Sequence, residues 1–194
     1  AYLKGKKDFT LIELGCGDAI NLKRIAELTK NARFFGIEES EGYKEFWPFQ
    51  SGDFIALSVL DDNLEKKIDQ KFDYVLIAYL LHHLVGKSRR QSLRNVDKCL
   101  RVAKSMLKEG GSMIVIEPVF EPSYLMTLIF YVKKICSLFS KNRIGIFGYW
   151  NNIGSPIVSY LSRKQLEQVV GRIGLKIIHH KQKTGPSGLL MRFT

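Results

Sequence analysis

The sequence predicts an α/β fold: a doubly wound, Rossmann-like and mostly parallel seven-stranded sheet, closed by a C-terminal antiparallel hairpin, with a helical insertion before the last helix. Three observations predict it. Short runs are apolar at nearly every position, as in strands covered on both faces, and not alternately apolar and polar. Amphipathic helical stretches separate them. Directly after the first run, a loop with two glycines leads into a helical pattern, which is where open α/β sheets place their ligands.

The strands begin with "FTLIEL" (9–14), followed by "RFFGIE" (33–38), a weaker "ALSVL" (56–60), "FDYVLIA" (72–78) and "SMIVIE" (112–117). The first helix is expected over "AINLKRIAELTK", where Leu22, Ile25, Ala26 and Thr29 share a face, with Asp18 as its N-cap. "SRRQSLRNVDKCLRVAKSMLK" repeats the pattern with Leu93, Val96, Leu100, Ala103 and Leu107. It opens on a Ser88-x-x-Gln91 capping box and is expected to end at Gly110-Gly111. A second box, Ser162-x-x-Gln165, opens "RKQLEQVVGRI". "LKIIHHKQK" and "GLLMRF", separated by "TGPS", read as the closing hairpin.

One domain over 1–194 is expected, with 118–161 as an apolar helical insertion within it. The apolar run of the insertion is broken by Lys133-Lys134 and is too short to span a bilayer. Its use stays open among a lid on the domain's own surface, a pocket wall for a lipophilic substrate and a patch resting on a membrane, which do not exclude one another.

Composition narrows the function classes. Cys16, Cys99 and Cys136 are far apart, which fits neither a disulfide framework nor a zinc site, and the histidines form two adjacent pairs, His82-His83 and His179-His180. Neighbouring histidines in a strand point to opposite faces, so a metal-free protein of a reducing, cytoplasmic compartment is expected. The net charge of +11 favours phosphates or an anionic membrane as a neighbour. The basic residues are nevertheless spread over apolar-periodic helices, which reads first as a solvated face. No secretory signal opens the chain, and because its first residue is Ala1 with a strand almost at once, a preceding segment is expected.

The chemistry of the loop selects the ligand. Gly15 and Gly17 allow a ligand to lie against the main chain. A dinucleotide would need a third glycine where Ile20 stands, and Asp18 would repel its pyrophosphate. Glu13 and Asp18 suit a cation instead. Glu38, about 20 residues beyond the glycines, is placed to accept from ribose hydroxyls.

"ELGCGDA", "GIEES", "FDYVLIAYLLHHL" and "LKEGGSMIVIEP", in this order over residues 9–117, resemble the class I S-adenosylmethionine-dependent methyltransferases. The resemblance implies that Glu13, Gly15, Cys16 and Gly17 form the loop under the methionine moiety. It implies that Glu38 binds the ribose, with Glu39 and Ser40 on the adenine side. Asp61, or Asp62 nearly as well, would meet the adenine amino group, and Ala78 and Tyr79 would flank the methyl-donor pocket. The family's third motif glycine is Ala19 here, and its usual aspartate on the second strand is Glu38.

Methyl transfer to a hydroxyl or an acidic carbon needs a base of near-neutral pKa, so His82 and His83 are the catalytic candidates for that role, with Tyr79 beside them as a catalytic candidate that shapes the substrate's approach. Tyr149 and Trp150 are candidates for shaping the substrate pocket or for packing the lid. No Asn/Asp-Pro-Pro-Tyr signature for planar nitrogen follows the fourth strand. The expected acceptor is therefore a small, hydrophobic molecule methylated on oxygen or carbon. An RNA methyltransferase and a non-catalytic S-adenosylmethionine-binding partner subunit are the alternatives.

Overall fold

The structure is a computed structural model that describes residues 2–139, 144–146, 150–153, 157–182 and 189–193. In chain order the strands are β1 (Thr10–Leu14), β2 (Arg33–Glu38), β3 (Phe54–Ala56), β4 (Phe72–Ala78), β5 (Leu107–Glu117), β6 (Ile144–Ile146), β7 (Trp150–Ile153), β8 (Ile177–Gln182) and β9 (Leu189–Phe193). The helices are α1 (Ile20–Ala26), α2 (Leu64–Lys67), α3 (Arg89–Ser105), α4 (Ser123–Phe139) and α5 (Arg163–Arg172). The main sheet has the order β3-β2-β1-β4-β5-β9-β8. Strands β1 to β5 run parallel, and β9 is antiparallel to both of its neighbours.

Strand order reverses between β1 and β4, so the loops after these two strands diverge and leave a crevice at the carboxyl edge. The uninterrupted apolar strands follow from cover on both faces. Ile12 and Leu14 of β1 join Val75 and Ile77 of β4, Met113 and Val115 of β5, and the inner faces of α3 and α5. Leu11, Leu76, Ala78 and Ile114 point the other way, to Leu22 of α1. Trp47 and Phe49 of the irregular stretch after β2 close that second layer against Phe54.

Several boundaries differ from the sequence reading. Helix α1 stops at Ala26, because Leu28 and Thr29 donate to Ile25 and Ala26 in tight three-residue turns and Asn31 adopts a positive φ. Its N-cap is Ala19, not Asp18; Asp18 Oδ1 instead accepts from Ile20 N at 3.2 Å. Helix α3 ends at Ser105, ahead of the glycines, because Leu107 is already recruited to the sheet opposite Phe72, and the Gly110-Gly111 stretch falls in the irregularity before Ser112 pairs with Tyr74. The third strand lies at Phe54–Ala56, and Ser58 to Leu60 leave the sheet. At Ser88 only half of the box forms, since the Gln91 side chain accepts from Lys87 N at 3.0 Å; at Ser162 both halves are present.

The insertion is not wholly helical. After α4, β6 and β7 pair antiparallel, as the recurring isoleucines favour. Its two ends meet where Val119 bridges Leu161 and Phe120 N donates to Leu161 O at 3.0 Å. Buried Arg89 of α3 fastens this junction through Ser159 Oγ and Tyr160 O. Among the described residues, no helix is long and apolar enough to cross a membrane. Tyr149 and the "TGPS" link lie outside the described residues, as do the side chains of Trp150, His179 and His180.

The complete box at Ser162 gives a direct test of local stability. Ser162→Ala should destabilise the protein by about 1 kcal/mol in urea denaturation, with the slope of the transition unchanged.

Candidate cofactor site

The carboxyl ends of β1, β2 and β4 surround a cleft of about 420 Å³, lined by Gly15, Glu38, Glu39, Ser58 to Leu60, Tyr79, Leu80 and His83 to Val85. The β1–α1 loop forms its floor. Gly15 N and Cys16 N both donate to Ile37 O, at 2.8 and 3.0 Å, which folds the loop over β2. Gly15 has φ 68°, and a Cβ there would lie 2.7 Å from Leu80 Cδ1, so a side chain would be strained and would also crowd the cleft wall.

Two carboxyl groups organise the loop. Glu13 is fully buried; its Oε1 accepts from Asn21 Nδ2 at 2.8 Å, while its Oε2 is buried with no partner among the described residues. Burial pushes its pKa up to about 8 against the opposing Asn21 hydrogen bond, with the Asp18 charge adding to the rise. Glu38 Oε2 accepts from Gly17 N at 3.1 Å, and Oε1 is 3.4 Å from Ser40 N. Glu38 thus holds the glycine loop in place and keeps acceptor capacity toward the cleft that it lines. Cys16 packs inward, and a Cβ at Gly36 would meet its Sγ at 2.6 Å. Burial, then Glu13 and Glu38, push its thiol up to about 12, so it is a packing residue and not a nucleophile.

On the opposite wall, Tyr79 follows β4 with φ 57°, an uncommon conformation for a non-glycine, and half of its surface is exposed at the cleft. Ala78 is buried in the α1-side layer behind it. His83 lines the cleft, and its pKa lies below the ordinary value through desolvation and the neighbouring His82. His82 is buried outside the lining, its Nδ1 2.8 Å from Glu117 Oε2.

Of the residues expected at the site, Gly15, Glu38, Glu39, Tyr79 and His83 meet along the cleft; Cys16 and Gly17 share the β1–α1 loop with Gly15, and buried Glu13 lies on β1, outside the lining. Ser40 stands at the rim. Asp61 and Asp62 fall outside the lining. Asp61 Oδ1 accepts from Asn63 N at 2.7 Å, and exposed Asp62 pairs with Lys98. The wall is instead Ser58, Val59 and Leu60. These were hidden in the sequence because "ALSVL" is apolar enough to pass for a strand. Asn21 and Glu117 were missed too, having no motif of their own.

These features fit S-adenosylmethionine. The unpartnered Glu13 Oε2 suits its ammonium group, Glu38 suits the ribose hydroxyls, and the glycine loop leaves room for close approach. Among the described residues no three His, Cys, Asp or Glu side chains are placed to hold a metal ion. The fold and cleft are those of a Rossmann-like methyltransferase, and the sequence agrees. A family described as "Methyltransferase domain" matches residues 12–113, and the chain belongs to it.

The chain is 26% identical over 164 residues to "Putative methyltransferase 235L" of Invertebrate iridescent virus 6, covering 82% of this chain and 56% of that protein. It therefore spans little more than half the length of this relative. Among solved structures, it resembles the DhpI–SAH complex, with a TM-score of 0.63 and 12% identity over 97% of this chain and 76% of that one. It also resembles the mitomycin 7-O-methyltransferase MmcR, with a TM-score of 0.65 and 13% identity over 95% of this chain and 48% of that one.

The buried acid carries a pH dependence of fixed sign. Between its ordinary pKa of 4.5 and about 8, folded Glu13 keeps a proton that the unfolded chain has released. Its stabilisation is complete below the lower value and is lost as pH rises through the upper one. Glu13→Gln keeps the neutral shape, so its stability relative to wild type should rise by up to about 5 kcal/mol across that window. Urea denaturation measured at several pH values checks this, and parallel curves would contradict it.

Proposed function

We propose that the chain transfers a methyl group from S-adenosylmethionine to an oxygen or carbon of a small, hydrophobic acceptor. The observation that carries the acceptor class is the surrounding of the imidazoles beside the cleft. The His82 ring stacks on Tyr160, with centroids 5.3 Å apart, and Tyr160 in turn meets Phe120 at 4.7 Å, so the two ends of the insertion bring aromatic groups to this side. MmcR, a fold neighbour, acts on an oxygen by its name, which is compatible with this reading.

S-adenosylmethionine supplies an electrophilic methyl on a positively charged sulfur and leaves as a neutral thioether. The protein's work is then alignment, exclusion of water and removal of the acceptor's proton. Glu13 would hold the ammonium and Glu38 the ribose, and Glu39, Ser40 and the Ser58–Leu60 segment would border the adenine. Leu80, Leu84 and Val85 would keep water from the reacting centre, and Tyr79 would shape the acceptor's approach. His82 and His83 would be the candidate bases.

The outer face of α4 supports a lipophilic acceptor. Tyr124, Leu128, Tyr131 and Ile135 are exposed at i, i+4, i+7 and i+11, from 43% to 75%, a longer apolar stripe than solubility favours. Lys134, next to this stripe, reaches Lys87 O on the segment just after the cleft residue Val85, so α4 packs beside the cleft. With the net charge of +11, such a face would rest on an anionic membrane from which the acceptor is taken.

The test is incubation with methyl-labelled S-adenosylmethionine and a cell extract, followed by separation of organic, RNA and protein fractions, with and without anionic liposomes. Label should enter the organic fraction, increase with liposomes and fall at least tenfold in Glu38→Ala. Label in RNA would overturn the acceptor assignment. Cofactor binding with no label in any fraction would favour a non-catalytic partner subunit.

A further inference from the structure

Glu117 is a buried acid that the cofactor does not need. It ends β5 with 1% of its surface exposed, yet both of its oxygens are engaged. Oε1 accepts from Leu81 N at 2.6 Å and Oε2 lies 2.8 Å from His82 Nδ1. Opposite a carboxylate, which accepts and cannot donate, a neutral His82 carries its hydrogen on Nδ1 and keeps its lone pair on Nε2. Nε2 has no hydrogen bond among the described residues, and the His82 side chain keeps 10% of its surface open.

Two rings pack on His82: His83, with centroids 4.1 Å apart and tilted, and Tyr160, stacked at 5.3 Å. Ser159 N donates to His82 O at 2.8 Å, and Arg89 holds Ser159 from α3. The titratable groups around the pair are therefore His83 on the same turn, Tyr160 ahead of α5, and Cys99 on α3. The Tyr160 hydroxyl and the Cys99 thiol are both held above their ordinary values by burial first and by Glu117 second. Neither is a rival proton acceptor at neutral pH. His82 thus lies directly behind the cleft residue His83 and against Tyr160 of the insertion.

We infer that Glu117 is a positioning residue that holds His82 in the Nδ1–H form, so that His82 Nε2 takes the proton from an O–H or C–H acceptor during methyl transfer. This rests on the methyl-transfer reading and deepens it, because it excludes amines that react through a free lone pair. In the step, the acceptor's O–H or C–H bond breaks as N–H forms on Nε2. The electron pair left on the acceptor atom forms the new bond to the methyl carbon as the methyl–sulfur bond breaks, and that bond's electron pair stays on sulfur, which leaves as the neutral thioether. The imidazolium charge is balanced by the Glu117 carboxylate until the proton returns to solvent.

Glu117→Gln separates this role from a strut. The glutamine oxygen can still accept from Leu81 N, while its amide hydrogens face Nδ1 and force the proton to Nε2. In long-range proton–nitrogen NMR of the full chain, neutral His82 should show protonated Nδ1 in wild type and protonated Nε2 in the variant. Calorimetric affinity for S-adenosylmethionine should change by less than threefold in Glu117→Gln and His82→Gln. Label transfer to the organic fraction at pH 7 should fall at least tenfold in both. A wild-type His82 protonated on Nε2, or variants that label as fast as wild type, would overturn the dyad alone. A folded wild type that binds no S-adenosylmethionine or labels nothing would overturn the methyl-transfer reading and the dyad with it.

Discussion

A carboxyl group with no access to solvent, held by one amide at the end of β1, sets the architecture of the carboxyl edge. Burying Glu13 is costly in any protonation state, and the cost is limited here by keeping the proton and by the Asn21 hydrogen bond. One oxygen is still unsatisfied. An ammonium group placed there would supply the missing partner and favour the ionised form. The site is therefore less stable empty than an apolar substitute would be, and the difference becomes available to a cationic ligand. Around it, Glu38 fixes the glycine loop by accepting from Gly17 N, and Gly15 and Cys16 bind to β2 through Ile37 O. The geometry of the loop is thus set by Glu38, which also lines the cleft, and by the backbone of β2.

The second constraint is at the end of β4. Tyr79 sits at positive φ with its N–H donated to Ile116 O at 2.8 Å, so β5 holds the chain through its sharp turn. The turn directs His83 to the cofactor cleft and His82 to Glu117 and the insertion. The adjacent histidines thus have different surroundings, one at a cleft wall and one on a buried carboxyl group.

Much of this was legible because parallel strands covered on both faces are hydrophobic throughout and glycines mark the close approach. "RFFGIE" and "FDYVLIA" form β2 and β4 as read, "FTLIEL" forms β1 from Thr10 onward, and Glu38 ends β2 beside the cleft, where it also holds Gly17 N. Errors arose where tertiary pairing overrode local pattern. The register of β2 captures Phe54–Ala56, not the run after it, which frees Ser58 to Leu60 for the cleft and leaves Asp61 and Asp62 to a turn and to Lys98. The sheet likewise ends α3 before its glycines. The Glu117–His82 pair spans 35 residues and has no local signature, so only the folded chain discloses it.

The most direct test of the account is calorimetric titration of the full chain with S-adenosylmethionine, comparing wild type, Glu13→Gln and Glu38→Ala with folding verified by circular dichroism. One site per chain is expected, with affinity reduced about tenfold or more in each variant, as removal of a buried charged partner requires. Absence of binding by the folded wild type, or equal affinities in all three proteins, would contradict the assignment of this loop as the cofactor site.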